Sequence, residues 1–131
     1  MKVAVDTTVL VRAVVRDDPA QARIAAKVLT NATLIAVALA SLCEFVWVLL
    51  RFYDFHPSDA VSAIRALVAA DNVEVNRPAV EAGLVMLEAG GDFADGVIAY
   101  EGRWLGAETF VSFDMKAIAL LTAQGQSARL L

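Results

Sequence analysis

Two short, β-branched-rich apolar runs in this chain each stop at an aspartate: Lys2 to Val5 ends at Asp6, and Thr109 to Phe113 ends at Asp114. Between such runs the apolar residues recur at helical spacing. Strands separated by one or two helices cannot pair as hairpins, so the sequence requires a mostly parallel sheet with helices on both faces. In open sheets of that kind, ligands bind beyond the carboxyl ends of the strands. Asp6 and Asp114 are therefore expected to project from one edge of the sheet.

Local signals place the remaining elements. Thr7 or Thr8 is positioned to cap a helix running to about Arg16, and Asp18-Pro19 is an N-cap and N1 pair opening a helix to about Thr30. Thr33 to Val37 reads as a second buried strand, after which Leu39, Leu42, Cys43, Val46, Leu50 and Tyr53 recur along one helical face. Pro57 opens a helix to about Ala70, Val73 to Asn76 alternates like a short strand, and Pro78 starts a helix ended by Gly90 and Gly91. Asp92 begins the next helix, to about Leu105. A strand over Thr109 to Phe113, a helix from Asp114 to Gln124 and a short strand near Ala128 to Leu130 complete the chain. The expected architecture is one α/β domain over residues 1–131.

Composition narrows the chemistry. At 59% hydrophobic and 20% charged, the chain can bury a full core. Its net charge of −4 provides no long-range positive field, which argues against a general nucleic-acid coat protein but leaves room for a local basic groove. A single cysteine, Cys43, excludes a disulfide framework, and no Cys/His cluster offers a zinc site. Met1 to Asp6 reaches a charge after three apolar residues, so no secretory leader is expected and the cytoplasm is the expected compartment. The greasiest stretch, Leu34 to Leu50, contains Ser41 and Glu44, which argues against a membrane span.

The acids carry the candidate chemistry. Asp92 and Asp95 lie three residues apart on one face of a helix start, and Glu44 is the lone acid of an apolar helix. Together with Asp6 and Asp114 they would form a carboxylate cluster. Carboxylates gathered without compensating Lys or Arg repel one another unless a hard divalent cation neutralises them, so Mg²⁺ or Mn²⁺ is inferred. A cation held by a few carboxylates and several waters orients a phosphate and activates a water, which points to phosphodiester hydrolysis. No GxSxG elbow, phosphate-binding GxxxxGK[ST] loop or GxGxxG turn offers another route. Arg12, Arg16 and Lys116 flank the acids and are candidates for phosphate contact, with ordinary solvated charge as the alternative. Each acid has its own plain alternative. Asp6, Asp92 and Asp114 are good helix caps, and Glu44 shares a stripe with Ser41, Val48 and Arg51. His56, Cys43, Trp47 and Trp104 are expected to be structural, the tryptophans covering apolar surface.

In four places the chain resembles a known family. Val3-Ala4-Val5-Asp6-Thr7-Thr8-Val9-Leu10, Glu44 in the third helix, Asp92-Phe93-Ala94-Asp95-Gly96-Val97-Ile98-Ala99, and Val111-Ser112-Phe113-Asp114 are similar to the four acidic motifs of PIN-domain ribonucleases, and most to the VapC-type toxins of type II toxin–antitoxin systems. No one motif is specific; their order along essentially the whole chain is. The resemblance implies a PIN-like three-layer α/β/α fold with about seven helices and a Mg²⁺- or Mn²⁺-dependent endoribonuclease. It assigns Asp6, Glu44, Asp95 and Asp114 as metal-site carboxylates, with Asp92 a supporting acid and Ser112 a polar neighbour at the strand end. It also implies an RNA substrate, a small VapB-like antitoxin seated in a helical groove, and a homodimer. A hydrophobic content above what a solitary domain of this length must bury is in keeping with those partners. Two positions depart from the family pattern: Thr8 stands where Asn is usual, and Gly96 where Ala is common, at a helix cost of about 1 kcal/mol.

Other functions are open on the residues alone. A haloacid-dehalogenase-like phosphatase also begins with a strand ending in Asp, but it needs a second Asp where Thr8 stands. A receiver domain needs a paired acid at the first strand, and its middle strand should end in a phosphoacceptor Asp where this chain has Ala38. A non-catalytic interaction module would use the carboxylates only as caps.

Overall fold

Val3 and Val5 alternate with Lys2 and Ala4, and this period-two pattern forms β1, Lys2–Val5, with Val5 buried. In the computed structural model, which describes residues 1–131, β1 feeds α1 (Thr7–Val15) through Asp6, which is itself the N-cap. Thr7 and Thr8 therefore do not fill the capping role expected of them. Thr7 is buried, with its hydroxyl donating to the Ser41 carbonyl at 3.3 Å. Arg16, in the left-handed region at φ 60°, ends α1. Asp18 accepts from the Gln21 N–H at 3.1 Å and Pro19 occupies the first turn of α2, Pro19–Asn31, as the Asp-Pro pair predicts.

The chain divides into two compact units, Met1–Asn76 and Arg77–Leu131. In the first, β2 (Leu34–Val37) lies between β1 and β3 (Val73–Glu74), and both pairings are parallel, with Val5 opposite Val37 and Ile35 opposite Val73. α3 spans Leu39–Phe52 and α4 spans Pro57–Ala69. The fully buried stripe of α3 is Leu42, Phe45, Val46 and Leu49. It is turned slightly from the expected face, so that Cys43 and Leu50 fall half-buried on its flank. These side chains join Leu10, Val11, Ile35, Val37 and Ile64 in the core. The Asn72 side chain donates to the Leu29 and Ala32 carbonyls at 3.0 and 2.9 Å, satisfying the end of α2.

The second unit contains α5 (Arg77–Glu88), α6 (Phe93–Trp104), β4 (Phe110–Ser112), α7 (Met115–Ala123) and β5 (Ala128–Leu130). Gly90, at φ 93°, and Gly91 close α5, the Gly91 N–H donating to the Met86 carbonyl at 2.8 Å. α5 and α6 then pack face to face with glycine at the contact. A Cβ on Gly83 would lie 2.6 Å from the Phe93 ring, and one on Gly96 would lie 2.8 Å from Gly83 Cα. β4 and β5 pair in parallel through the α7 crossover, with Phe110 opposite Ala128 and Ser112 opposite Leu130.

The protein is thus α/β with seven helices and entirely parallel pairing. The single sheet expected from the sequence is divided by hydrogen bonding into a three-stranded and a two-stranded sheet, so β1 and β4 do not share one. Each sheet lies within one compact unit, β1, β2 and β3 in the first and β4 and β5 in the second. No helix is long and apolar enough to cross a membrane.

Candidate metal centre

α6 and α7 bring three of the predicted acids into electrostatic range of one another. Asp92 caps α6, its Oδ1 accepting from the Ala94 N–H at 3.0 Å. Asp114 caps α7, its Oδ1 accepting from the Lys116 and Ala117 N–H groups at 3.0 and 3.1 Å. Both caps leave Oδ2 without a protein partner. Asp95 lies in the first turn of α6, half-buried, and its carboxyl is raised above the ordinary value of 3.8. Burial is the main cause, and the charges of Asp92 and Asp114 add to it. The partial positive charge of a helix N-terminus favours the ionised form, yet desolvation and two neighbouring anions outweigh it. Ser112 holds this end of β4: its Oγ accepts from the Asp114 N–H at 2.9 Å. Lys116 is exposed on the first turn of α7.

In the first unit, Asp6 Oδ1 accepts from the Thr8 hydroxyl at 2.6 Å and from the Val9 N–H at 3.2 Å. The Thr8 bond is the largest cause holding the Asp6 carboxyl below its ordinary value. Thr8 thus contacts the first acid through its hydroxyl, where the family pattern has an amide. Glu44 is exposed on α3 beside its buried stripe and makes no protein hydrogen bond. Arg12 is engaged elsewhere: its Nη1 meets Asp17 Oδ1 at 2.8 Å, and Tyr53 donates to Asp17 Oδ2 at 3.3 Å. Arg16 donates from Nε to the Ala13 carbonyl at 3.3 Å, closing α1. Asp17 was missed by reading the sequence because a five-residue spacing is not a helical pair; the left-handed turn at Arg16 folds the chain back to make it one. Val9, Ile24, Ala25 and Val28 line a groove of about 350 Å³ between α1 and α2, with Thr8 and Arg12 at its rim.

The two tryptophans lie at the surface. Trp47 is 56% and Trp104 76% exposed. Trp47 meets Phe52 edge to face at 5.3 Å between centroids, and Trp104 Nε1 donates to the Tyr100 hydroxyl at 2.6 Å.

In neither unit do three or more His, Cys, Asp or Glu side chains group so as to hold a metal ion, so the expected carboxylate cluster is not formed within either unit. The donor set of the second unit still suits a hard cation. It is all carboxylate oxygen, Asp92 and Asp114 each keep one oxygen without a hydrogen bond, and their charges add to the burial that raises Asp95. Mg²⁺ needs only one or two carboxylates, with waters completing its shell.

The raised Asp95 carboxyl sets a pH dependence. The folded state holds this proton more tightly than the unfolded chain, so the group's contribution to stability is fully present below the ordinary value of 3.8 and is lost as pH rises through the raised folded value. In chelator, the melting temperature of the wild type should fall relative to Asp95→Asn as pH rises through that window, and the two curves should run parallel below it. A difference that grows toward low pH would contradict the assignment. Neither a protein-family model nor a curated protein sequence matches the chain.

Proposed function

We propose that this chain is a Mg²⁺- or Mn²⁺-dependent endoribonuclease with a PIN-like three-layer α/β/α architecture, acting in the cytoplasm as the toxin of a VapC-type toxin–antitoxin pair. One observation carries the proposal: Asp95 lies half-buried with Asp92 and Asp114 in electrostatic range, and its carboxyl is raised accordingly. In this reading Asp95 and Asp114 hold the cation, Asp92 supports them, and Asp6 and Glu44 have the ligand roles that the resemblance assigns. When bound, the cation neutralises phosphodiester charge and lowers the pKa of water at the site. Asp95, half-buried in the first turn of α6, would act as a ligand that fixes where the cation and its attacking water sit. Asp114 is fixed by two N–H bonds and by Ser112 behind it, so its free oxygen is presented without rotamer freedom. Ser112 and Lys116 are the substrate contacts in this reading. Arg12, the third candidate substrate contact, is paired with Asp17, and Thr8 favours the ionised form of the exposed Asp6 carboxylate. The α1–α2 groove has an apolar lining suited to a VapB-like antitoxin segment, and the exposed apolar side chains suit a homodimer.

A second reading, a non-catalytic interaction module, draws on the fact that Asp6, Asp92 and Asp114 all cap helices. Calorimetric titration of the metal-free protein with Mn²⁺ separates the two. The nuclease reading expects heat of binding with the wild type and none with Asp95→Asn, whereas negligible heat with both favours the module.

A further inference from the structure

A cleft of about 510 Å³ in the second unit contains none of the acids described above. Ile98 and Val111, both largely exposed, form an apolar floor with Phe110, and Arg103, Glu108 and Gln126 stand around it. Its volume is that of a small-ligand pocket. Ile98, Ala99, Gly102 and Arg103 line it from α6, at three, four, seven and eight residues beyond Asp95. Those spacings place the cleft on the same helical face as Asp95, with Arg103 about 12 Å along the axis.

The polar groups are arranged unequally. Arg103 Nη1 donates to Gln126 Oε1, its guanidinium lies over the Tyr100 ring at 5.7 Å, and Gln126 Nε2 donates to Gln124 at 3.1 Å. Arg103 and Gln126 are thereby held in place, while Arg103 keeps several N–H donors unused. Glu108 makes no hydrogen bond or ion pair within the protein, so the cleft offers an exposed two-oxygen acceptor and a guanidinium with unused donors beside apolar side chains. Guanine is the nucleobase that matches. It presents two adjacent donors, N1–H and the N2 amino group, to a carboxylate, and two acceptors, O6 and N7, to a guanidinium. Adenine would turn a ring acceptor toward Glu108, and cytosine and uracil lack the paired donors.

We propose that this cleft is a guanine-selective base pocket. Resting on the nuclease reading, it takes a guanine a short stretch of single strand away from the bond cut at Asp95, an unstacked base read on its edges as single-stranded RNA is commonly recognised.

Free nucleotides test the pocket without relying on cleavage. GMP, AMP, CMP and UMP are titrated into metal-free protein, following the Ile98 and Val111 methyl resonances and the heat of binding. GMP is expected to bind about tenfold or more tighter than the other three. Two variants should remove that preference: Glu108→Gln, and Gly102→Met, which fills the cleft from a position where an added Cβ meets only Ala107 Cβ at 3.9 Å. RNA ends produced by the wild type should share a guanine at a constant offset from the cut. Equal binding of the four nucleotides, no binding of GMP, or a preference unchanged in both variants overturns the proposal. Cleavage without guanine preference and without GMP binding sinks the pocket and leaves the nuclease standing. Selective GMP binding by a protein that cuts no RNA does the reverse.

Discussion

On the proposed nuclease reading, Asp95→Asn is expected to lower RNA cleavage by about 10²–10⁴-fold, the several kcal/mol that a correctly held cation supplies, while raising the stability of the metal-free protein. The two effects have one cause. Asp95 is half-buried in electrostatic range of two other carboxylates, so its charge opposes folding in the metal-free protein. Asparagine keeps the side chain's shape and removes that charge, and with it, on the proposed reading, a carboxylate ligand for the cation. Opposed changes in activity and stability mark a functional group; a purely structural residue would lose both together. The measurement is initial cleavage rate at equal Mn²⁺, beside thermal unfolding in chelator. Cleavage by the variant at the wild-type rate, from preparations free of contaminating nuclease, would falsify the assignment of Asp95.

Gly96→Ala should destabilise the fold by about 2–3 kcal/mol, against a helix-propensity gain of about 1 kcal/mol. The family pattern makes alanine common here and the residue's neighbours in sequence raise no objection. The helix hairpin does: a Cβ on Gly96 presses on the Ala82 carbonyl oxygen and lies 2.8 Å from Gly83 Cα, and neither atom can swing aside as a side chain can. α5 and α6 would have to move apart, loosening the buried Phe93 and Val97. Gly102, six residues further along α6, is the control, since its added Cβ meets only Ala107 at 3.9 Å. Gly102→Ala should stabilise by up to about 1 kcal/mol. Urea denaturation of both variants checks the pair, and a Gly96→Ala protein as stable as wild type would mean that the helix contact is looser than described.

The separation between what was legible and what was not follows the range of the interactions. Asp18 before Pro19, Gly90 beside Gly91 and the alternating valines of β1 act within a few residues, and each marks its element to within about two positions. Capping, backbone conformation and hydrophobic period are local physics, so the order of five strands and seven helices could be read directly. Even there, choosing between Asp6, Thr7 and Thr8 as the first cap needed coordinates, because all three have an oxygen within reach of the same N–H groups.

The candidate site divides in the same way. That Asp92 and Asp95 share a helix start is a matter of spacing. That Asp114 lies near enough to raise Asp95 depends on how α6, β4 and α7 pack. The commitment of Arg12 to Asp17, the contact of Thr8 with Asp6, and a cleft built from α6, β4 and the turn at Gly125 are likewise products of chain reversal. By itself the sequence determined the elements, their parallel sense and the acids that end them, because those depend on neighbours along the chain. Only the tertiary structure decided that the strands form two sheets, that glycine is required where α5 meets α6, and which charges are paired or exposed. Those outcomes depend on distances between residues far apart in sequence, which packing alone sets.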